Sequence, residues 1–461
     1  MGRSIAVLPF VACIQFCSGP ALAQCPIERL TPPEGPFGGG FGGEVVMNER
    51  HVLVADASAA TLCPVVFDCN TGAVYDFRLI DGRWERVQRL LPPDVQRGDS
   101  FGTAVHLDGD RLIVGSSSAD LAGPETGGAY VYDFDGESWV ETGRIPSPWP
   151  VAFAGFGHQV LIDDDVALVN MPPLLYVFQE GGQGEWRQVD RLEAPDAPTG
   201  GRAFGGNANA LTDDWLFVGT PFDDSIAVNV GSVYVFRREG PTKFVFHQKI
   251  DALHPEQGPR FGYSLASDND QLFVGAVNAD REFEAQGVVY RFEYDGARWT
   301  PRQEITLDDA IRRDHFGWSL SLRDGVLLAR LAGSRTPSVL GAVLVFQRGP
   351  GDDWTRRATL LPEGSSDAFG PAIATDGRRA LVGAKLDDVG GVPLGAAHLF
   401  DLSCEICRPD LDADGTLTIF DFLLFFNLFD DGDAQADFDG DGELTIFDFL
   451  AFQDAFQAGC E

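Results

Sequence analysis

A Phe-Gly pair recurs seven times along this chain of 461 residues, and the recurrence limits the folds that the chain can adopt. Successive pairs are 48 to 60 residues apart. A recurring unit of this length is typical of architectures in which each repeat forms one supersecondary unit and stacks on its neighbours. The seven phenylalanines are Phe41, Phe101, Phe156, Phe204, Phe261, Phe316 and Phe369.

Residues 101–145 show what one repeat encodes. Residues 101–107 alternate apolar with small or polar side chains, residues 111–115 form an apolar run, and the Asp-Gly-Asp segment between them is typical of a hairpin turn. Residues 129–132 indicate a third strand, and Trp139 begins a fourth. Four antiparallel strands per repeat form one blade of a β-propeller. The other repeats follow the same plan, so the chain is predicted to contain an all-β, seven-bladed β-propeller.

The last repeat lacks a fourth strand, and the N-terminus supplies a matching segment. Residues 27–33 resemble residues 87–93, and Leu30 precedes Phe41 by the same 11 residues that separate the corresponding pair in the next repeat. The N-terminal strand is therefore predicted to complete the last blade of a propeller over residues 25–403. Closing the ring in this way removes exposed sheet edges, which otherwise promote aggregation.

The N-terminus also indicates export. Arg3 is followed by a mostly apolar stretch over residues 5–16 and by the small-residue cleavage site Ala21-Leu22-Ala23, so residues 1–23 are predicted to be a signal peptide. A lipoprotein signal that ends at Cys25 is the alternative. No later segment is apolar over the roughly 18 residues that a membrane span needs. A secreted or surface-attached protein is therefore predicted.

Six cysteines follow the signal peptide, and an even number in an exported chain indicates disulfides. Cys25 and Cys404 lie at the two ends of the predicted ring, where a disulfide would lock its closure. A bridge across so long a loop can stabilise the fold by roughly 4–5 kcal/mol. Cys63 and Cys69 are expected to staple a loop of the first blade.

The repeat unit resembles the FG-GAP repeat of integrin α-subunit propellers, in its bacterial form. The resemblance rests on Phe101-Gly102, residues 108–115, residues 128–132 and Trp139, and it covers roughly residues 25–403. It implies a seven-bladed propeller with adhesive or protein-binding use. Integrin blades often carry D-x-D-x-D-G calcium loops, which these repeats lack, so no calcium site is expected in the propeller.

The C-terminal residues 404–461 contain two near-copies of a twelve-residue acidic loop. Aspartates occupy loop positions 1, 3 and 5, glycine occupies position 6, and aspartate occupies position 12. Calcium takes six to eight oxygen ligands, and this spacing supplies them from side chains and a main-chain carbonyl at position 7. Two calcium ions are therefore predicted, held by Asp410, Asp412, Asp414, Thr416, Thr418 and Asp421 and by Asp437, Asp439, Asp441, Glu443, Thr445 and Asp448.

Each acidic loop runs into one aromatic-rich helix, predicted over residues 419–429 and 446–456, and no helix precedes the first loop. This pattern is similar to a dockerin, of the bacterial group that ends in Gly-Cys. The resemblance implies a small all-α, calcium-binding module with two loop–helix repeats that docks onto a cohesin-like or other surface protein. Cys407 and Cys460 bracket the module and are expected to pair.

The helices contain two kinds of apolar position. Where cellulosomal dockerins often place Ser-Thr for partner choice, this chain has Ile-Phe, which puts a standard cellulosomal partner in doubt. The candidates for contacting a partner are Ile419, Phe420, Ile446 and Phe447. The side chains assigned to the helix core are Phe422, Leu423, Phe449 and Leu450.

The sequence contains no recognisable catalytic motif. The seven histidines form no metal-binding pair, no G-x-S-x-G elbow occurs, and the glycines serve turns rather than a phosphate loop. The acidic pairs Asp223-Asp224 and Asp387-Asp388 are interpreted as turn caps, with a cation or sugar site as the alternative. The recurring tryptophans are interpreted as packing between blades. No catalytic residue and no organic cofactor are predicted.

The sequence favours a secreted or surface-anchored binding or adhesion protein, in which the propeller presents a protein- or glycan-binding face. The net charge of −35 makes nucleic acid and anionic lipid unsuitable partners. The alternative is a dockerin-borne carbohydrate-active enzyme with a catalytic propeller, which would need acids and bases from several blades to converge. A third hypothesis makes the propeller a structural spacer.

Overall fold

A computed structural model describes most of the propeller region and two C-terminal helices. The described residues are 26–32, 39–59, 70–196, 204–206, 208–255, 258–268, 270–336, 339–349, 351–362, 368–389, 391–402, 411, 419–433, 436, 438 and 444–458. Seven four-stranded antiparallel sheets form the seven blades, which confirms the predicted seven-bladed, all-β propeller.

The strands have the following bounds. The N-terminal strand is β1 (Pro26–Leu30). Blade 1 contains β2 (Glu44–Met47), β3 (Val52–Asp56), β4 (Ala73–Ile80) and β5 (Arg83–Leu90). Blade 2 contains β6 (Phe101–Asp108), β7 (Arg111–Ser116), β8 (Gly128–Phe134) and β9 (Trp139–Pro146). Blade 3 contains β10 (Val160–Asp163), β11 (Val166–Met171), β12 (Leu174–Glu180) and β13 (Trp186–Leu192). Blades 4 and 5 contain β14 (Asn209–Leu211), β15 (Trp215–Thr220), β16 (Ser232–Gly240) and β17 (Lys243–Asp251); and β18 (Phe261–Ser267), β19 (Gln271–Ala276), β20 (Val288–Tyr294) and β21 (Trp299–Ile305). Blades 6 and 7 contain β22 (Leu320–Arg323), β23 (Val326–Thr336), β24 (Val339–Arg348) and β25 (Trp354–Leu360); and β26 (Phe369–Thr375), β27 (Arg379–Ala384), the short hairpin β28 (Asp388–Val389) and β29 (Val392–Pro393), and β30 (Ala396–Asp401).

The two ends of the propeller meet in blade 7. The strand order of this sheet is β1-β30-β27-β26, so the N-terminal strand is the outer strand of the last blade, the place that the sequence spacing indicates. Leu30 pairs with Ala397 across the β1–β30 ladder. Arg29 donates to the carbonyl oxygen of Asp388 at 2.7 Å, and its guanidinium lies 3.3 Å from the carboxylate of Asp387. Main-chain pairing and an ion pair thus join the first residues of the ring to the last.

The apolar core of the propeller is divided into seven clusters, and each cluster lies between two neighbouring blades. The cluster between blades 7 and 1 contains Leu30, Phe41 and Leu381. Because each sheet is covered on both faces, a second strand such as Val52–Asp56 is buried along its whole length and is apolar without alternation over its first four residues. Full burial of one such side chain stabilises the fold by about 1.5–3 kcal/mol. Because the buried side chains are divided among seven clusters, their contribution to stability is spread around the ring.

The seven Phe-Gly phenylalanines share one environment. All are fully buried, and each ring contacts an aromatic ring on the third strand of its own blade, as Phe101 contacts Tyr130 at a centroid distance of 5.4 Å. The main chain of Phe101 also reaches the preceding blade, where its N–H donates to the carbonyl oxygen of Thr71 at 3.0 Å. The neighbouring Gly72 has a φ of +81°, and a side chain there would clash with the Phe101 main chain. Glycine is therefore required at this contact between blades.

The recurring tryptophans pack between blades, as predicted from the sequence. Trp299 of blade 5 contacts Trp215 and Phe217 of blade 4, with ring centroids 5.5 and 5.0 Å apart. The side-chain amide of Gln248 fixes this contact, because it donates to the carbonyl oxygen of Trp299 at 3.1 Å and accepts from its N–H at 2.9 Å. The same glutamine clamp joins Gln88 to Trp139 and Gln303 to Trp354.

Asp56, at the end of β3, gives the fold a measurable pH dependence. Burial raises the pKa of Asp56 to about 7, although the N–H of Ser58 donates to its carboxylate at 3.0 Å. In the unfolded chain the pKa of an aspartate is near 4, so folding takes up a proton between these values, and stability falls as the pH rises from about 4 to 7. Replacing Asp56 by asparagine keeps the acceptor oxygen and removes the charge. The Asp56→Asn variant is therefore expected to be more stable than the wild type by roughly 2–4 kcal/mol above pH 7 and about equally stable near pH 4.

Urea denaturation at pH 4.5 and pH 8 measures this difference. Asp190→Asn, on the exposed face of β13, is the control and is expected to change the stability by less than about 0.5 kcal/mol at either pH. An Asp56→Asn variant that gains nothing at pH 8 would show that the Asp56 carboxylate is not destabilised by burial.

Two helices lie in the C-terminal region, α1 (Ile419–Asp431) and α2 (Ile446–Ala458). Their contact is aromatic, with the rings of Phe425 and Phe452 stacked at a centroid distance of 4.3 Å. Phe422 and Phe449 pack against this core, as predicted, but Leu423 and Leu450 do not belong to it: they are 53% and 46% exposed. Each leucine directly follows a core residue, Phe422 or Phe449. Successive residues of a helix are about 100° apart around its axis, so the leucine side chain points away from the core. No helix among the described residues is long and apolar enough to span a membrane.

Candidate binding face and C-terminal site

The propeller has two unlike faces. One face carries the turns that join the first strand of each blade to the second and the third to the fourth; we call it the hairpin face. The opposite face carries the connections from the second strand to the third and the connections between blades; we call it the loop face. The hairpin face is acidic, and its carboxylates build turns: Asp268 accepts from the N–H groups of Asp270 and Gln271 at 3.0 and 2.8 Å. Asp135 does the same for Glu137 and Ser138.

An open depression of about 570 Å³ lies on the hairpin face between blades 2 and 3. Its charged groups are paired with one another, because Arg111 lies 2.6 Å from both Asp133 and Glu180. The Arg111 side chain also donates to the carbonyl oxygen of Asp164, in the turn of the next blade. These contacts join two blades, so this depression is explained by packing of the ring.

Exposed large apolar side chains are concentrated on the loop face. Among the described residues, the hairpin face exposes two large apolar side chains, Leu79 and Ile80. Further exposed apolar side chains lie on the outer strands of the blades. The loop face presents Trp149, Val151, Phe153, Phe222, Ile226, Val228, Leu253, Phe283, Ile311, Leu386 and Val392. Trp149, Val151 and Phe153 come from one connection, and exposed apolar side chains that cluster mark interaction sites in soluble proteins.

Phe153 is the most exposed of these side chains, at 78%. Its φ of +59° is unusual for a bulky residue, and its N–H donates to the carbonyl oxygen of Glu125 in the neighbouring loop at 2.8 Å. A residue held in such a conformation carries a conformational cost of order 1–3 kcal/mol, and residues of this kind cluster at functional sites. Trp149 lies in the same connection, between blades 2 and 3, where the Ser147 hydroxyl donates to its carbonyl oxygen at 2.8 Å.

The second-to-third connections are held in shape by aspartates. Asp224 accepts from the N–H of Asn229 at 2.6 Å, and Asp120 and Asp280 make the equivalent bonds in blades 2 and 5. Asp223 accepts from the Ser232 hydroxyl at 2.6 Å and lies 2.9 Å from the Lys249 ammonium, and these contacts hold its pKa below the usual range although burial acts in the opposite direction.

The second acidic pair, Asp387-Asp388, also makes structural contacts. Asp387 is buried and lies 2.8 Å from His398, in addition to its contact with Arg29. The Asp388 carboxylate accepts a hydrogen bond from the N–H of Gly391 at the turn of the short hairpin. The main-chain carbonyl oxygen of Asp388 accepts a hydrogen bond from the Arg29 side chain. Both pairs hold loops and strands in place, as the turn-cap interpretation requires.

The predicted calcium ligands are only partly within the described residues. Asp421 and Asp448, the last positions of the two loops, are both fully buried in the first turn of a helix. Asp421 accepts from the N–H of Leu411 at 2.8 Å, and Asp448 accepts from that of Thr445 at 2.7 Å. The other nine ligands, and the six cysteines, lie outside the described residues: Asp410, Asp412, Asp414, Thr416, Thr418, Asp437, Asp439, Asp441 and Glu443, and Cys25, Cys63, Cys69, Cys404, Cys407 and Cys460.

The loops carry only oxygen donors, the kind of ligand that calcium takes, and Asp421 and Asp448 would supply the final ligand of each loop. Within the described part of the chain, no three His, Cys, Asp or Glu side chains form a metal-binding group. The four predicted partner-binding side chains form two matching pairs on the helices: Ile419 and Phe420 are each 65% exposed, and Ile446 and Phe447 are each 63% exposed.

Sequence reasoning missed the loop-face residues. The segment Pro148-Trp149-Pro150-Val151 carried a signal, because large apolar side chains stand there between prolines in a connection that has no strand pattern. Their exposure depends on how neighbouring connections cover one another, which the repeat pattern does not specify.

Comparison with known proteins agrees with the repeat assignment. The family described as FG-GAP repeat matches residues 84–132 and 354–400, each of which runs from the outer strand of one blade through the third strand of the next. No curated protein matches the chain.

Three solved structures are similar over most of their length. A catalytically inactive variant of virginiamycin B lyase from Staphylococcus aureus, with quinupristin, is 10% identical, with a TM-score of 0.49 over 81% of this chain and 98% of that chain. A protein from Lactobacillus plantarum is 14% identical, with a TM-score of 0.44 over 76% and 99%. A functionally unknown protein from Desulfotomaculum acetoxidans is 11% identical, with a TM-score of 0.40 over 68% and 86%. From its own strands and the family match, the chain carries FG-GAP repeats that fold into a seven-bladed β-propeller, a fold that suggests a binding or adhesion-type function.

Proposed function

We propose that the chain is a secreted or surface-anchored binding protein, which holds a partner protein on the loop face of its propeller and docks to a second protein through a calcium-loaded C-terminal module. The observation that carries the proposal is the concentration of exposed apolar side chains on the loop face. A face built for solvent alone would carry the polar turns that the hairpin face has.

The composition of the loop face favours a protein partner. Aromatic residues are enriched in protein interfaces, and a few of them account for most of the binding energy. Trp149 and Phe153 stand together in one connection, fixed by hydrogen bonds to Ser147 and Glu125. These bonds hold the main chain of both residues in place, so little main-chain entropy is lost when the connection binds a partner.

The C-terminal module supports the docking part of the proposal. Its two helices present the same apolar pair at the same place, Ile419-Phe420 on α1 and Ile446-Phe447 on α2, with nearly equal exposure. The core of the module already contains Phe425 and Phe452, so the exposed pairs are in excess of what the helix contact uses. Calcium, when bound, would neutralise the loop carboxylates that precede each pair.

Variants on the two faces test the proposal. The mature chain is used to capture proteins from the envelope and secreted fractions of the host, and each captured protein is identified, produced separately and titrated against the chain. The double variant Trp149→Ser/Phe153→Asn is expected to weaken binding by roughly tenfold or more, since truncating an aromatic hot spot costs about 2 kcal/mol or more. Asparagine is chosen at position 153 because it tolerates a positive φ.

Leu79→Ser/Ile80→Ser on the hairpin face is the matched control, since it removes two apolar side chains that are also exposed. It is expected to leave the dissociation constant unchanged. Equal binding by both double variants would refute a loop-face interface. Release of new reducing ends from a polysaccharide by the wild-type chain would instead favour the carbohydrate-active enzyme.

A further inference from the structure

Blade 6 carries an arginine at a position of the second strand where four other blades carry glycine. The next-to-last residue of the second strand is glycine in four blades, at Gly115, Gly219, Gly275 and Gly383, whereas blades 1 and 3 have Ala55 and Asn170 there. A side chain at any of these glycines would clash with the Phe-Gly segment of the following blade. In blade 6 the same position, opposite the third strand at Val343, is Arg330.

The structure makes room for this arginine. The Arg330 stem passes Gly370 of blade 7, where an added Cβ would come within 3.1 Å of the arginine Cγ. Its Nε donates to the carbonyl oxygen of Phe369 at 2.9 Å, and its guanidinium carbon lies 5.6 Å from the centroid of the Trp318 ring. These two contacts therefore hold the guanidinium group in one orientation, at the end of the inner strands that is nearer to the loop face.

Arg330 is buried without a counter-charge. It is 9% exposed, and no carboxylate among the described residues forms an ion pair with it. The other buried arginine of the described chain, Arg291, is paired with Glu293 and lies 3.1 Å from Asp352. Burial lowers the pKa of Arg330 to about 10, so it remains charged at neutral pH. A charge in this environment is costly unless an anion pairs with it.

Aromatic side chains adjoin Arg330. Tyr263 of blade 5 contacts Trp318 at a centroid distance of 4.9 Å, and His315 lies 6.0 Å from the same ring. Arg260 lies over the ring of Phe222 at 5.3 Å. Burial raises the pKa of Tyr263, and the charges of Arg260 and Arg330 act in the opposite direction. Arg330 therefore lies against the Trp318 ring, which in turn contacts Tyr263.

We infer that Arg330, beside Trp318 and Tyr263, forms a binding site for a carboxylate of the partner protein. The planar guanidinium can donate two parallel hydrogen bonds to a carboxylate, from Nη groups that the Phe369 contact leaves available. Arginine, tryptophan and tyrosine are the residue types most enriched in protein binding hot spots, which favours a protein over a sugar acid. This inference rests on the proposed function, because it names one contact of the loop face.

Saturation-transfer NMR on the mature chain tests the site with small probes. N-acetylphenylalanine carries a free carboxylate and an aromatic ring, and N-acetylphenylalaninamide is the same molecule without the charge. The carboxylate probe is expected to bind and the amide is not. Binding of glucuronate without binding of N-acetylphenylalanine would overturn the protein-carboxylate assignment in favour of an acidic sugar, and absence of binding by every probe would overturn the site.

The variant Arg330→Met keeps the stem over Trp318 and removes the charge. It is expected to weaken probe binding by roughly tenfold or more and to leave the melting temperature unchanged or higher, because an unpaired buried charge is removed. Arg291→Met is the matched control; it leaves Glu293 and Asp352 without their cation, so its melting temperature is expected to fall while probe binding persists. Unchanged probe binding in Arg330→Met overturns the inference.

Two further comparisons keep the result interpretable. If Arg330→Met does not fold, Arg330→Lys replaces it, since lysine keeps the charge but lacks the planar fork and is expected to bind the probe more weakly. If the loop-face double variant loses the partner while Arg330→Met keeps both partner and probe, the face stands and the carboxylate site falls. If neither variant affects the partner, the proposed function fails as well.

Discussion

A chain that lacks residues 26–32 is expected to lose at least about 5 kcal/mol of the free energy of unfolding, enough to unfold many domains. Strand β1 contributes Leu30, which is 2% exposed, to the cluster between blades 7 and 1. Loss of a buried leucine side chain alone costs about 2–5 kcal/mol. The deletion also removes the ladder to β30 and the ion pair of Arg29 with Asp387. It exposes β30 as a sheet edge, so concentration-dependent association is expected too.

Urea denaturation and light scattering measure these effects. Two single variants on the same strand provide a matched comparison: Leu30→Ala is expected to cost about 2–5 kcal/mol, whereas Ile27→Ala, whose side chain is exposed, is expected to cost less than about 0.5 kcal/mol. A synthetic peptide of residues 26–32 should restore part of the lost stability by adding the missing strand, and a scrambled peptide should not. A deletion variant with the wild-type denaturation midpoint would show that β1 does not hold the ring closed.

Removal of calcium is expected to unfold the C-terminal helices and leave the propeller folded. The helix contact consists of a small aromatic core around Phe425 and Phe452, too little to stabilise so short a segment by itself. The two acidic loops next to these helices carry carboxylates that repel one another unless a cation is bound. Asp421 and Asp448 are fully buried, so a chelator would leave two buried carboxylates without the proposed cation.

Calorimetry and far-UV circular dichroism of the full chain, with calcium and with EGTA, test this prediction. EGTA is expected to abolish one transition and the helical signal, and to leave the propeller transition in place. The variant Asp421→Asn/Asp448→Asn is expected to weaken calcium binding by more than about tenfold, whereas Asp430→Asn, exposed on α1, serves as the control. A thermal profile that is the same in calcium and EGTA would argue against a calcium-dependent module.

The propeller was predictable because its strongest signals are local and repeated. Each Phe-Gly phenylalanine contacts an aromatic ring at one equivalent position of its own third strand, from Phe77 in blade 1 to Phe400 in blade 7, so seven copies of one contact appear in the sequence as one period. The place of β1 followed from the same period, because Leu30 keeps the spacing of the other outer strands. The glutamine clamps were not predicted, since Gln248 and Trp299 belong to different blades and the clamp is absent from several blades.

The candidate sites were less predictable for physical reasons. Leu423 and Leu450 were assigned to the helix core, but a helix as rich in apolar residues as α1 has no polar face that would reveal which side is buried. Arg330 is visible in the sequence as a departure from glycine. Its lack of a counter-charge is not visible there, because the carboxylates that pair with other arginines come from other strands and turns. Exposure of Trp149 and Phe153 likewise depends on contacts between connections.

The position of β30 has a consequence for mechanical load. Among the described residues, β30 is the last strand before the two C-terminal helices, and it lies between β27 and β1 with hydrogen bonds to both. A pulling force transmitted from an anchored module would enter the propeller along this strand and would load two antiparallel ladders in shear, so that many hydrogen bonds resist together. Had the N-terminal strand been placed elsewhere, β30 would form an edge, and only one ladder would resist extraction of the strand. The closure of the ring would thus also protect the propeller against being pulled apart by a force applied after β30.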